Sequence, residues 1–258
     1  SSYHQAGEAK LMLGAMALAT AVVIVLAYGV AWLLHVPAAA MGTFVQGAFR
    51  GNLAFIGLPI IYAMPDTLVS GGISMRSAAV VVVGPMMVAY NLVGVIVLWL
   101  SQHQVGLGMI KPFLRQLLTT PPLLATLAGI GFALAGWSMP SAVDKAFVAL
   151  GEMALPLGLL GVGGSLVAVE RRSGGRASWG AALAKTMLSP VIGWSVGRAL
   201  GLGGIELKMV MIFMATPTAI VSYVMAMELK GDEAIASGTI VLSVFASIAS
   251  LAAIIGLF

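Results

Sequence analysis

The sequence predicts an all-α polytopic membrane protein, and three observations lead to this fold class. Of the 258 residues, 60% are hydrophobic and only 9% are charged, whereas a soluble domain has about 25% charged residues. The mean hydropathy is +1.05. The apolar segments are long enough to cross a bilayer as helices and lack the alternation that barrel strands require. So little polar surface cannot cover a globule in water.

Eight segments have the length and composition of a membrane-spanning helix. Short polar connections separate them, and an even number of spans places both termini on the same side of the membrane. From the first span to the eighth, the predicted bounds are 10–34, 39–63, 76–100, 119–137, 142–168, 178–202, 207–228 and 233–257.

The distribution of lysine and arginine predicts the orientation of these spans. The side opposite the termini carries seven of these cations against five on the terminal side. Because positive loops stay in the cytoplasm, the termini are predicted to be periplasmic. The seven cations, which include the cluster "RRSGGR", are Lys111, Arg115, Arg171, Arg172, Arg176, Lys185 and Lys230.

The residue composition disfavours most site chemistries. The chain has no cysteine and only three histidines, so no metal site or other cofactor is predicted. An intramembrane enzyme would need a catalytic set such as two aspartates or a histidine–glutamate pair within the spans, and the spans contain no aspartate pair and no histidine. In a membrane protein the net charge of +4 reports topology rather than nucleic-acid binding.

The second span, "FVQGAFRGNLAFIGLPIIYAM", contains residues that are unusual in hydrocarbon: Arg50, Asn52 and Pro59. Proline removes a backbone donor and collides with the preceding helical turn. Unwound backbone is tolerated at membrane depth only inside the protein or against a cavity. The span is therefore predicted to be a broken helix. Arg50 either faces an internal cavity or reaches to the membrane interface, and both interpretations stay open.

The seventh span is predicted to contain a second break. The segment "GLPIIYAM" (57–64) aligns without gaps on "IVSYVMAM" (220–227), and "ATPTA" places Pro217 nearby. An offset of five spans reverses the direction of crossing, which is typical of an inverted-topology repeat. The second break rests on Pro217 or on Ser222. Two facing breaks predict a substrate-binding site, with candidate residues Arg50, Asn52, Pro59, Thr216, Pro217, Thr218 and Ser222.

Other intramembrane polar and small residues have two readings each. Glu152 is a candidate for proton or cation coupling, or it lies at a helix end beside Asp144. Asn91 is a second coupling candidate, or it bonds to a neighbouring helix. Gly193, Gly197 and Gly201 are expected to serve helix packing, with ligand contact as the alternative.

Three segments resemble the auxin efflux carrier (PIN-like) family. "GNLAFIGLPI" is similar to the broken fourth helix of that family, in which an asparagine precedes a proline by seven residues. "MATPTAIVSYVMAMELKGDEAIASGTIVLS" resembles the last two helices, and "TTPPLLATLAGI" the start of the second five-helix half. The resemblance implies an inverted-repeat transporter of the bile-acid-symporter-like, elevator type, and a homodimer in the lipid bilayer.

Mapped onto the ten-helix pattern, the chain corresponds to the third helix through the tenth, so two initial helices are missing. Residues 1–100 are then the remainder of the first repeat, 101–118 a cytoplasmic connecting loop, and 119–258 the second repeat. The resemblance gives Asn52 a role in contacting substrate and makes Pro59 the proline of the crossing. Arg50 is not part of the plant motif.

The expected function is secondary transport of small organic anions, such as malonate or auxin-like acids, across a bacterial inner membrane. Arg50 favours an anion over a neutral substrate. The main alternative is a sodium-coupled carrier similar to the bile-acid and organic-anion symporters. A truncated, non-transporting product and an intramembrane enzyme are the remaining alternatives.

Overall fold

The computed structural model describes residues 2–69, 72–103, 121–168 and 175–257, and these residues form helices joined by short connections. Apart from two isolated bridges, they contain no strand pairing. In chain order the helices are α1 Ser2–Leu33, α2 Ala38–Phe49, α3 Leu58–Ala63, α4 Met75–Gln102, α5 Pro121–Leu134, α6 Ser141–Ala168, α7 Gly175–Leu183, α8 Ser189–Ala199, α9 Gly204–Ala215, α10 Val221–Glu228 and α11 Glu233–Leu257.

Among the described residues, three helices are long and apolar enough to cross a membrane: Ala9–Leu33, Met75–Gln102 and Glu233–Leu257. The all-helical fold class is thereby confirmed. The second and seventh predicted spans are each divided into two shorter helices, so the count of eight crossings stays a prediction. Residues 104–120 and 169–174, which hold four of the seven cations assigned to the cytoplasmic side, lie outside the described residues.

Two π-helical turns widen the helices that enclose the core. One, Leu53–Gly57, leads into α3, and the other, Ala184–Leu188, joins α7 to α8. Each is followed two residues later by a proline, Pro59 or Pro190. Proline has no N–H and its ring collides with the carbonyl one turn earlier, and a π-helical turn moves that carbonyl away.

The core is assembled from narrow stripes of small and flexible side chains. On α1 one face is fully buried, and α1 packs against α2, α4 and α8. Gly193 and Gly197 bring α8 close to α9, because an added Cβ would lie 2.9 Å from Met214 and 2.7 Å from Leu207. Their predicted packing role is confirmed. The buried face of α1 consists of Met12, Ala15, Met16, Ala19, Val23, Ala27 and Ala31.

Candidate functional site

The centre of the candidate site is a direct pairing of two broken helices. α2 ends at Phe49, and the π-helical turn begins at Leu53. α9 ends at Ala215, and α10 begins at Val221. The gaps between these helices meet as an antiparallel bridge between Gly51 and Thr218.

Two reciprocal backbone hydrogen bonds hold this crossing together. The N–H of Asn52 donates to the carbonyl of Pro217 at 2.8 Å, and the N–H of Ala219 donates to the carbonyl of Arg50 at 3.0 Å. They satisfy backbone groups that have no partner within a helix. Unwound backbone is therefore stable here in a largely apolar molecule.

The position of the first break corrects the interpretation of Pro59. The break spans residues 50–52, and the chain is helical again from Leu53 through Pro59 to Ala63. The ring of Pro59 is exposed, on the outside of the molecule. Pro59 therefore accompanies the π-helical turn and does not form the break, because that turn already accommodates its missing N–H. The structure does not bring it to the other candidate residues.

The second break contains Pro217, as one of the two alternatives predicts. Pro217 is buried in the gap between α9 and α10, and its carbonyl accepts from Asn52. Ser222 instead lies in the first turn of α10. Its side chain is 2% exposed, and its hydroxyl has no hydrogen-bond partner among the described residues.

Threonines on either side of Pro217 secure the second break. The Thr218 hydroxyl donates to the Gly47 carbonyl at 2.8 Å, and the Thr218 N–H donates to Ser243 Oγ at 2.9 Å. The Thr216 hydroxyl bonds back to the Phe213 carbonyl at 2.7 Å. Both threonines are buried, so their hydroxyls fix the backbone of the crossing from inside the bundle.

Arg50 lies inside the protein, against α4 and α10. Its side chain is 4% exposed, and its guanidinium donates to Asn91 Oδ1 on α4 and to Met225 Sδ on α10. Both partners are uncharged, and a thioether is a weak acceptor. The positive charge of Arg50 is therefore not neutralised by either of these two partners.

Asn52 and Asn91 line the same cavity as Arg50 and have different roles. The Asn52 side chain caps the following helical turn by accepting from the N–H of Phe55 at 3.2 Å, which satisfies one free donor of the helix start. Asn91 accepts from Arg50, so its predicted bond to a neighbouring helix is confirmed. Its proposed coupling role stays a prediction.

A small cavity opens beside these groups. Its volume is about 60 Å³, and its lining includes Arg50, Asn52, Tyr90, Asn91 and Ala219. Pockets for drug-sized ligands are typically at least about 300 Å³. In this conformation the cavity is therefore too small for such a ligand, and a substrate larger than a few waters requires it to widen.

Glu152 is separate from this site. It lies on α6 and is exposed at the protein surface. The structure brings Arg50, Asn52, Asn91, Thr216, Pro217 and Thr218 together at or beside the crossing, with Ser222 in the first turn of the adjoining α10.

Lys185 lies at the site, although the sequence places it only among the cytoplasmic cations. It is fully buried in the π-helical turn Ala184–Leu188, and its ammonium donates to the Met214 carbonyl in the last turn of α9. It therefore cannot count as a cytoplasmic loop charge. The only signal in the sequence was a lysine within an apolar run shortly before Pro190.

Fold and site together define an α-helical membrane protein with buried cations at a crossing of two broken helices. The model of the family described as "Membrane transport protein" matches residues 101–255. The chain belongs to this family of auxin efflux carrier-like membrane transport proteins. The matched residues contain the second broken helix, whereas Arg50 and Asn52 precede them. A comparison with the curated proteins finds no match.

Proposed function

We propose that this membrane transport protein is a secondary carrier of small organic anions, such as malonate. Alternating access takes place around the crossing of the two broken helices. The observation that carries the proposal is the buried guanidinium of Arg50, which lines the cavity and is held by uncharged Asn91 and Met225. Inside a low-dielectric protein such a charge attracts an anion far more strongly than it does in water.

A substrate carboxylate binds the Arg50 guanidinium more strongly than its present partners, Asn91 and Met225, do. Arginine binds carboxylates through two parallel, charge-assisted hydrogen bonds. An amide oxygen and a thioether form weaker hydrogen bonds with the guanidinium. Their replacement by a carboxylate therefore lowers the free energy of the site. A substrate of this class also places its negative charge near the N-terminal end of the turn that Asn52 caps.

The wider setting of the proposal comes from the sequence. We propose that the carrier contains two inverted repeats and forms a homodimer. It lies in a bacterial inner membrane, with its termini on the periplasmic side.

Transport of radiolabelled malonate into proteoliposomes tests the proposal. The variants are Arg50→Ala and Asn52→Ala, and Arg198→Ala is the matched control, because Arg198 is exposed in the last turn of α8. Loss of a hydrogen bond to a charged group predicts a fall in flux of about tenfold or more for Arg50→Ala. Unchanged flux in both site variants, with folding verified by thermal unfolding, would show that the site is assigned wrongly.

A further inference from the structure

Lys185 is a second buried cation at the crossing, and the function proposed above does not use it. Its side chain is completely inaccessible to solvent, which is rare for lysine. A charged group inside a membrane protein is costly and usually marks a functional position. A lysine with only a structural role would be replaceable by an apolar residue of similar size.

The ammonium of Lys185 lies at the end of a half-helix. It donates to the carbonyl of Met214, one residue before α9 ends at Ala215. The last carbonyls of a helix lack partners within it and form the negative end of its dipole. In carriers with broken helices, such ends commonly coordinate a coupling cation.

The same ammonium lies close to Gly51 in the first break. A Cβ placed on Gly51 would lie 3.2 Å from Lys185 Nζ and 3.0 Å from Cε. The guanidinium of the neighbouring Arg50 instead donates hydrogen bonds to Asn91 and Met225. Lys185 does not line the cavity that Arg50 lines, so the two cations serve different parts of the crossing.

We propose that the crossing contains a site for a monovalent cation and that the Lys185 ammonium fills it permanently, in place of a free ion. A lysine ammonium is a compact point charge with three donors, comparable in charge to sodium or ammonium. The proposal rests on the proposed transport function. Two consequences follow: the intact carrier needs no external cation at this position, and truncation of Lys185 opens a site for a free monovalent cation.

Chemical rescue of Lys185→Ala tests the inference. The purified protein is heated in detergent with sodium, ammonium or propylammonium chloride, and choline chloride serves as the large-cation control. Propylammonium reproduces most of the side chain that the substitution removes. Lys208→Ala is the matched variant, because Lys208 is also a buried lysine but is located near the start of α9.

We expect Lys185→Ala to unfold at a lower temperature than the native chain, and propylammonium or a smaller cation to restore most of the difference. Neither the native chain nor Lys208→Ala should gain as much. Equal gains in all three proteins, or no gain in Lys185→Ala, would overturn the proposal. If Lys185→Ala does not fold alone, it is purified with propylammonium present throughout. Recovery of folded protein would then support the proposal, and failure to recover it would overturn the proposal.

Malonate flux provides the functional arm. Lys185→Met keeps the volume without the charge and should lose at least about tenfold in flux, while flux through the native chain should not change when choline replaces sodium. Native-like flux in Lys185→Met would overturn the inference. Absence of malonate flux in the native chain would instead refute the proposed function, and the unfolding arm would still decide the role of Lys185.

Discussion

Arg50 and Lys185 illustrate how single residues set the chemistry of the crossing. Both side chains are buried, and both donate to uncharged acceptors, Asn91 and Met225 for one and a backbone carbonyl for the other. A buried charge that keeps uncharged partners retains a strong field. Arg50 lines the cavity, whereas Lys185 is fully buried in the helix packing.

Asn91→Asp should weaken anion binding. The new carboxylate would pair with Arg50, and any substrate anion would then have to displace a charge-assisted bond. We expect KM for malonate to rise by about tenfold or more, since bonds between charged groups contribute roughly 1.5–3 kcal/mol. Flux measured against malonate concentration checks this. An unchanged KM would mean that Arg50 does not bind the substrate, and Asn91→Ala controls for loss of the amide.

Gly51→Ala should destabilise the crossing through lack of space. An added methyl would collide with the Thr216 hydroxyl and press on Lys185, and overpacking of this kind costs about 1–3 kcal/mol. Gly14→Ala is the matched control, because nothing lies within 4 Å of the position its Cβ would take. Thermal unfolding in detergent should show a lower transition temperature only for Gly51→Ala, and equal transitions would contradict this account.

At the scale of the helices, proline appears in two different settings. Pro59 and Pro190 each follow a π-helical turn within a helix that continues. Pro217 lies in a gap where the chain is not helical. The two breaks therefore do not correspond in proline position, although their backbones pair with each other.

Pro217→Ala should be more harmful than Pro59→Ala. Alanine at 217 adds an N–H in a buried gap, and an unsatisfied buried donor costs about 1–3 kcal/mol. Pro59 is exposed within a continuing helix, so its replacement should change stability by less than about 1 kcal/mol. Unfolding temperature and malonate flux of the two variants decide. A larger loss in Pro59→Ala would show that Pro59 supports the crossing.

Hydropathy locates the helices because burial in lipid demands long apolar runs, and it locates Met75–Gln102 and Glu233–Leu257 to within two residues. It does not locate the first break, because that break depends on pairing between Gly51 and Thr218, which are distant in the chain. The prediction of Arg50 and Asn52 as site residues follows from their rarity in apolar segments. Lys185 has the same rarity, but its burial depends on the packing of α8 against α9.

At the scale of the whole molecule, the surface is apolar as well as the core. Large hydrophobic side chains such as Leu134, Trp137, Phe147 and Phe245 are more than half exposed. In water such a surface would aggregate, whereas in a bilayer it faces lipid. The polar side chains of the crossing, such as Arg50 and Thr218, are buried within this apolar molecule.

Alternating access predicts substrate-dependent labelling at the cavity. The native chain has no cysteine, so it gives no background reaction, and any labelling reports the single cysteine that was introduced. Ala219 is half-buried and lines the cavity, so Ala219→Cys should react faster with a membrane-impermeant maleimide when the site opens. Malonate should slow this reaction. Thr67→Cys, in the exposed connection before α4, should react regardless of malonate, and equal behaviour of both cysteines would contradict alternating access.

The pairing of the broken helices through main-chain atoms also bears on how such a carrier diversifies. The bonds from Asn52 to Pro217 and from Ala219 to Arg50 use only N–H and carbonyl groups, which every amino acid except proline supplies in full. Exchange of side chains at positions 50, 91 or 225 therefore leaves both bonds in place. Under the proposed function, the backbone of the crossing persists while selectivity for the substrate changes, and these three positions are the targets for engineering new specificity.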